Sequence, residues 1–213
     1  TIDDGETCIY SQEYVHGLWN EVDDGAIEFN EAVESLSSLQ QALNAWNTSI
    51  DLSAGWNMFG YGCPTSINLS EALSSYTDRI IITKDNIGNA YLPEYDFNGI
   101  GDFNFLEGYL VKVNSDVSLN ISGDFVIPEN SPLNLGAGWS IISYLRLDAV
   151  SADLIFQDLL SNNNLIIAKN NLGTAYIPEF NFNGIGNLIP GQGYQIKLNE
   201  SAELIYFSIF DSY

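Results

Sequence analysis

One stretch of this chain occurs twice. It reads KDNIGNAYLPEYDFNGIGDFNFLEGYLVKV from Lys84 to Val113 and KNNLGTAYIPEFNFNGIGNLIPGQGYQIKL from Lys169 to Leu198. The two copies are offset by 85 residues throughout. Lys, Gly, Ala-Tyr, Pro-Glu, Phe-Asn-Gly-Ile-Gly, Gly-Tyr and Lys recur in register. Such a match is the mark of a tandem duplication, and it constrains the fold to two similar modules. Upstream the copies continue through Gly55-Trp56 and Gly138-Trp139. The second has 30 residues from its Trp to its Lys against 28 in the first, as a surface-loop difference would give.

Each copy reads as strand, short helix, strand, turn and further strands. In the first, Trp56 and Met58 alternate along a strand, and Ser66–Tyr76 reads as a helix capped at Ser70. Arg79–Thr83 is a β-branched run fit for a buried strand, and Asp85–Asn89 is a turn. Ala90–Leu92 is a strand ended by Pro93, and Gly108–Val113 is an alternating strand. In the second, Ala152–Leu160 is the helix and Leu165–Ala168 the buried strand. The expected class is therefore α+β, with two tandem, mostly antiparallel β modules that each carry one short helix, preceded by an N-terminal amphipathic helix. The expected boundaries are 1–50 for an N-terminal arm and heptad-patterned helix, 51–129 for the first module and 130–213 for the second, jointed at Pro128–Pro132. Tandem modules of this kind often pack about a pseudo-two-fold axis.

The N-terminal helix is expected from two interleaved seven-residue series, Phe29, Leu36, Leu43, Ile50 and Ala32, Leu39, Trp46. This is the seam of a coiled coil or of a helix laid on a flat surface. Phe29, Leu36, Leu39, Leu43 and Trp46 are read as assembly residues of a stalk. At the other end, Ala202–Phe210 (AELIYFSIF) is strongly β-prone. It either closes the second sheet or presents Leu204, Tyr206 and Phe207 as an edge that pairs with a neighbouring molecule.

Charge narrows the partners. With 28 acidic and 6 basic residues the net charge is −22, and such a surface repels nucleic acid and anionic lipid. No run is long enough to span a bilayer, so membrane insertion is not expected. At 46% hydrophobic residues the chain has enough apolar surface for packed cores. Self-repulsion of this size is best tolerated where salt screens it, which points to an extracellular setting. Thr1 is not a natural start and is expected to follow processing or trimming. Sequons begin at Asn47, Asn68, Asn120 and Asn199. In an oxidising compartment Cys8 and Cys63 are expected to form a disulfide.

Catalytic sets fail by counting. One histidine, His16, and two cysteines cannot build a repeated zinc site, and no cofactor or metal is expected. No nucleophile elbow, phosphate loop or dinucleotide fingerprint is present. Glu94 and Glu179, each after a proline, are the one repeated acid pair. They would suit glycoside hydrolysis if symmetry brought them together. The alternative is that each accepts backbone N–H bonds within its own turn. Trp56, Trp139, Tyr91, Tyr176, Tyr109 and Tyr194 offer rings for sugar stacking, with Asn98 and Asn183 as hydrogen-bonding neighbours. Tryptophan opening a strand and tyrosine after glycine are, however, more often core and corner residues. Asp85, Asn86, Asp96 and Asn98 offer oxygens for calcium. The second copy carries Asn170 and Asn181 at two of these places, which lowers the ligand charge and favours a plain turn.

Gly55-Trp56-Asn57, Gly138-Trp139, the two Phe-Asn-Gly-Ile-Gly turns and Pro190-Gly191-Gln192-Gly193-Tyr194 together resemble a repeated module of large secreted or cell-surface proteins of marine bacteria. A looser version is found in archaeal surface proteins. The resemblance covers about residues 51–200. The first copy departs from it with Phe105-Leu106-Glu107 in place of Pro190-Gly191-Gln192. It implies an extracellular or cell-surface location and no settled catalytic activity. The expected function is a non-catalytic structural or interaction module, a filament subunit or stalk tip, partnered by self-association or another surface protein. A glycan-binding adhesion module is the alternative, with Tyr91, Glu94, Asn98, Tyr176, Glu179 and Asn183 as its ligand residues, and a glycoside hydrolase is the second alternative.

Overall fold

The structure, a computed structural model, describes residues 49–121 and 126–207. The heptad residues Phe29, Leu36, Leu39, Leu43 and Trp46, together with Cys8 and His16, lie outside the described residues, as does the expected N-terminal helix up to residue 48; its last seam residue, Ile50, is instead in a strand, buried and paired with Leu119. All described residues belong to one compact unit. They form mostly antiparallel β-sheets with a few short helices.

The first half runs β1 (Ser49–Leu52), β2 (Gly55–Gly60), α1 (Leu69–Ala72), β3 (Ile80–Lys84), β4 (Ala90–Leu92), β5 (Phe97–Asn98), β6 (Gly108–Val113) and β7 (Val117–Asn120). The second runs β8 (Leu133–Leu135), β9 (Gly138–Ser143), β10 (Val150–Ser151), α2 (Ala152–Ile155), α3 (Gln157–Ser161), β11 (Leu165–Lys169), β12 (Ala175–Ile177), β13 (Phe182–Asn183), β14 (Asn187–Leu188), β15 (Gly193–Leu198) and β16 (Ala202–Leu204). Each half holds a five-stranded antiparallel sheet of the same order, β2-β6-β3-β4-β5 and β9-β15-β11-β12-β13. Beside it lies a two-stranded ribbon, β1-β7 in one half and β8-β16 in the other.

The helices are shorter than the apolar spacing suggests. In the first half the cap is Asn68, whose Oδ1 accepts from Ser70 N at 3.1 Å, and α1 lasts four residues before a single 3-10 turn at Ser74–Tyr76. In the second, Ser151 caps α2 and the chain breaks at Phe156 before α3. The loop chemistry repeats more faithfully. Asp85 Oδ1 accepts from Ile87 N (3.0 Å) and Asn89 N (2.8 Å), and Asn170 Oδ1 accepts from Leu172 N (3.0 Å) and Thr174 N (2.9 Å). Asp96 and Asn181 both sit at left-handed φ, near 50°, closing one-turn 3-10 helices that start at Pro93 and Pro178. Asp and Asn tolerate that conformation where most residues do not. The Asp85 and Asn170 side chains therefore hold the backbone of their own turns.

Two cores form, one per half. The first is aromatic, with Tyr61 stacked on Phe103 at 4.7 Å and Phe59 and Tyr109 around them. The second gathers Phe156, Tyr144, Tyr194 and Tyr206 with Leu and Ile side chains. Tyr109 and Tyr194 each accept a backbone N–H from five residues upstream, Asn104 and Ile189, both at 2.7 Å. That satisfies the one polar atom each ring carries into the core. The described part of the C-terminal run, up to Phe207, packs within its own module. β16 pairs with β8, and Leu204 and Tyr206 are buried in the second core, leaving Phe207 partly exposed. Burial wins over exposure for Leu204 and Tyr206 because large apolar side chains gain more by leaving water for a core.

Burial of these phenols makes the fold alkali-sensitive. It pushes Tyr194 up to about 12, and Tyr176 up to about 12 with further help from its bond to Asp153; Tyr109, Tyr144 and Tyr206 are also raised by burial. Groups raised above an unfolded value of 10.0 favour the folded state fully below that pH and lose this contribution as pH climbs through the folded values. Phenolate absorbance from these rings is therefore expected to appear together with loss of near-ultraviolet dichroism, in one step above pH 10. Their titration at pH 10 with the dichroism intact would contradict the packing.

Candidate functional site

Strand β2 is an edge of the first sheet and β9 an edge of the second, so each exposes a row of outward backbone N–H groups. The two halves cap each other's rows. Gly60 N donates to Gly191 O at 2.9 Å and Ser143 N to Leu106 O at 3.4 Å. Met58 N donates to Asn171 Oδ1 at 2.6 Å and Ile141 N to Asn86 Oδ1 at 2.9 Å. Each pair joins equivalent positions of the repeat, so the contact is reciprocal, as in an isologous dimer interface. Bridges between Phe59 and Gln192 and between Glu107 and Ile142 complete it. The repeated Gly-Tyr is explained here. A Cβ on Gly108 would lie 2.6 Å from Ile142 O, and one on Gly193 would lie 2.7 Å from Phe59 O.

Beside this junction is a cleft of about 210 Å³ lined by Asn86, Asn104, Glu107, Asn134, Ser140 and neighbouring apolar residues. Burial, then the charge of Asp85, raise the Glu107 carboxyl above its ordinary value, against a bond from Asn104 Nδ2 at 3.0 Å. The equivalent residue in the second half is Gln192. Asp85 already accepts three hydrogen bonds within its own turn. The cleft thus offers one carboxyl among amides and a hydroxyl, which suits polar binding but supplies no acid-base pair.

The expected ligand residues are placed differently from one another. Tyr91 and Tyr176 are 3% and 8% exposed, so their rings face the cores and present no surface to a sugar. Asn98 Oδ1 accepts from Ile100 N and Gly101 N, and Asn183 Oδ1 accepts from Gly186 N. Tyr176 and Asn183 both donate to Asp153, at 2.8 and 2.9 Å, and these bonds, the tyrosine's foremost, hold the Asp153 carboxyl below its ordinary value. Glu94 and Glu179 are exposed, in the links between β4 and β5 and between β12 and β13. The junction strands are β2, β6, β9 and β15, so the junction does not bring the two glutamates together. Among the described residues no three of His, Cys, Asp and Glu gather to hold a metal ion. No described helix is long and apolar enough to cross a membrane.

The two tryptophans do not join the cores. Trp56 is 49% exposed and Trp139 47% exposed. Residues directly opposite on neighbouring strands share a face of the sheet. Trp56 is opposite Lys112, itself opposite Ile82, while Lys84 is opposite Leu110 one row away. The second sheet repeats this with Trp139, Lys197 and Ile167, and with Lys169 beside them. Lys84 and Lys112 Nζ stand 5.8 and 6.0 Å from the centre of the Trp56 ring, and Lys169 and Lys197 Nζ stand 5.2 and 5.8 Å from that of Trp139. These distances suit cation–π attraction. Sequence reasoning missed the lysines, although they recur in register and make up four of the six basic residues.

No family model matches the chain, no curated protein matches it, and no solved structure matches its fold.

Proposed function

We propose that this chain is a non-catalytic interaction module of an extracellular or cell-surface assembly, built on a duplicated domain and carried on a stalk-like N-terminal segment. The observation that carries the reading is the reciprocal capping of β2 and β9. Most of the side chains the repeat shares serve turns, cores and this junction, which makes a rigid block, and the two equivalent sheet faces remain outward with a half-exposed indole on each. A block of this kind presents surfaces and holds shape. The half-exposed tryptophans also favour the adhesion variant of this reading, in which one of the surfaces engaged is a glycan.

The seam Phe29, Leu36, Leu39, Leu43 and Trp46 is assigned to self-association. Leu36→Ser with Leu43→Ser in the full chain is expected to lower the mass seen by sedimentation while the β-sheet dichroism stays unchanged. A wild-type chain that remains monomeric at every salt concentration would remove the assembly reading. Release of reducing ends from a polysaccharide by the wild type, lost in Glu94→Gln, would replace it with a hydrolase.

A further inference from the structure

We propose that the Trp56–Lys84–Lys112 and Trp139–Lys169–Lys197 clusters are two equivalent subsites for an anionic polysaccharide, one carrying carboxylate or sulfate groups at intervals along a neutral sugar backbone. The proposal rests on the interaction-module reading and names the partner class for its outward faces.

Three observations converge on it. First, the chain has a net charge of −22 and six basic residues, and all four of its lysines stand in these two clusters. Secondly, among the described residues the two arginines are the cations that form ion pairs. Arg79 pairs with Asp78 at 3.1 Å and Arg146 with Glu129 at 2.8 Å, while no lysine has a described carboxylate within salt-bridge distance. In a surface so rich in carboxylates, an intramolecular partner is the default for a lysine. Holding four lysines away from every described carboxylate leaves their charge available to an external anion. Thirdly, each lysine pair stands over a tryptophan that keeps about half its surface in solvent. A flat indole offers a sugar's C–H face a large apolar contact at small cost in side-chain entropy. An ammonium is a compact point charge with three donors, suited to a carboxylate or sulfate carried on that ring.

The composition of the cluster selects among anions. A nucleic acid carries charge so densely that the acidic surface around two lysines would repel it. A neutral glycan would use the indole and leave the lysines idle. A polysaccharide with spaced charges places one anion at each pair and leaves the repelling surface between them uncharged on the ligand side.

The test is affinity electrophoresis of the full chain in native gels cast with hyaluronan or κ-carrageenan, which carry one carboxylate or one sulfate per two sugars, or with neutral dextran or poly-glutamate. Retardation by hyaluronan or κ-carrageenan and not by neutral dextran is expected. Trp56→Ala with Trp139→Ala is expected to weaken it by at least about tenfold, as loss of a tryptophan anchor does. The milder Lys84→Gln with Lys169→Gln is expected to weaken it too, with thermal unfolding checked in each variant. Arg79→Gln, which removes an exposed cation outside the clusters, is expected to change nothing. Equal retardation by neutral dextran, an equal loss in Arg79→Gln, or retardation by poly-glutamate alone would overturn the proposal, the last by putting an acidic protein in place of the glycan. If no polymer retards a chain that still self-associates, the ligand assignment falls and the interaction-module reading stands.

Discussion

Alanine at both Gly108 and Gly193 is expected to destabilise the protein by roughly 2–6 kcal/mol, the cost of overpacking two tight sites. The sign is the informative part. Both glycines begin strands, β6 and β15, and neither has a positive φ. At an ordinary strand position alanine is better than glycine by roughly 0.5–1 kcal/mol. The junction reverses this. The added methyl on Gly108 would meet Ile142 O at 2.6 Å and Ile141 Cγ2 at 2.7 Å, and that on Gly193 would meet Phe59 O at 2.7 Å. The obstacles are mostly backbone atoms of the other half, which cannot rotate aside. The halves must part, and the cross-junction hydrogen bonds, worth about 1 kcal/mol each, weaken together. Gly136→Ala, with no heavy atom within 4 Å of the new methyl, is the control and is expected to stay within about 0.5 kcal/mol of wild type. Urea unfolding at constant m reads all three. A double variant as stable as the control would mean that the halves do not approach as described.

Glu129→Ala is expected to cost about 3 kcal/mol, and Arg146→Met far less, within about 1 kcal/mol of wild type. The two partners differ in burial: the Arg146 side chain is 3% exposed and the Glu129 side chain 29%. Arg146 Nη2 meets Glu129 Oε1 and donates to Phe207 O, and the guanidinium stands over the Tyr206 ring at 5.6 Å. Its Nε and Nη1 are buried without a hydrogen-bond partner among the described residues. Removing Glu129 leaves an uncompensated charge in the interior. Removing the arginine instead clears two unsatisfied donors, fills the space with a flexible apolar chain and leaves a carboxylate that water still reaches. Denaturant midpoints of the two variants give the ordering directly. If Arg146→Met proves the costlier change, the guanidinium contributes more through Phe207 and Tyr206 than the ion pair does.

The sequence was legible where a side chain answers to its own neighbourhood. The turns at Asp85 and Asn170, the proline that ends β4 and the alternating β6 and β15 all follow from local chemistry, and the structure places them as that chemistry requires. It was less legible where the answer depends on what packs from afar. Alternation separates Trp56 and Met58 from Asn57 and Phe59, but both sets contain large apolar residues. Only the position of the Phe59–Phe103–Tyr109 cluster decides which set goes inward. The same uncertainty left buried Tyr91 and exposed Trp56 alike readable as platform or as core. For Glu94 and Glu179, the repeat gives equivalence but not proximity, and strand order puts the junction on β2, β6, β9 and β15. The final apolar run illustrates the third case: edge and core strands share a composition, and only the presence of β8 resolves Leu204 and Tyr206 as interior.

The central claim is that each half of the repeat closes the other's open sheet edge. Backbone amide hydrogen exchange at Met58, Gly60, Ile141 and Ser143 tests it most directly. These amides point away from their own sheets, and each is bonded across the junction. Met58, Gly60 and Ile141 are expected to exchange only through opening of the whole unit, as slowly as Val111 and Ile196 in the sheet centres, with Ser143 somewhat faster over its longer 3.4 Å bond. Exchange of all four at the rate of a free edge strand, with the sheet centres still protected, would contradict it.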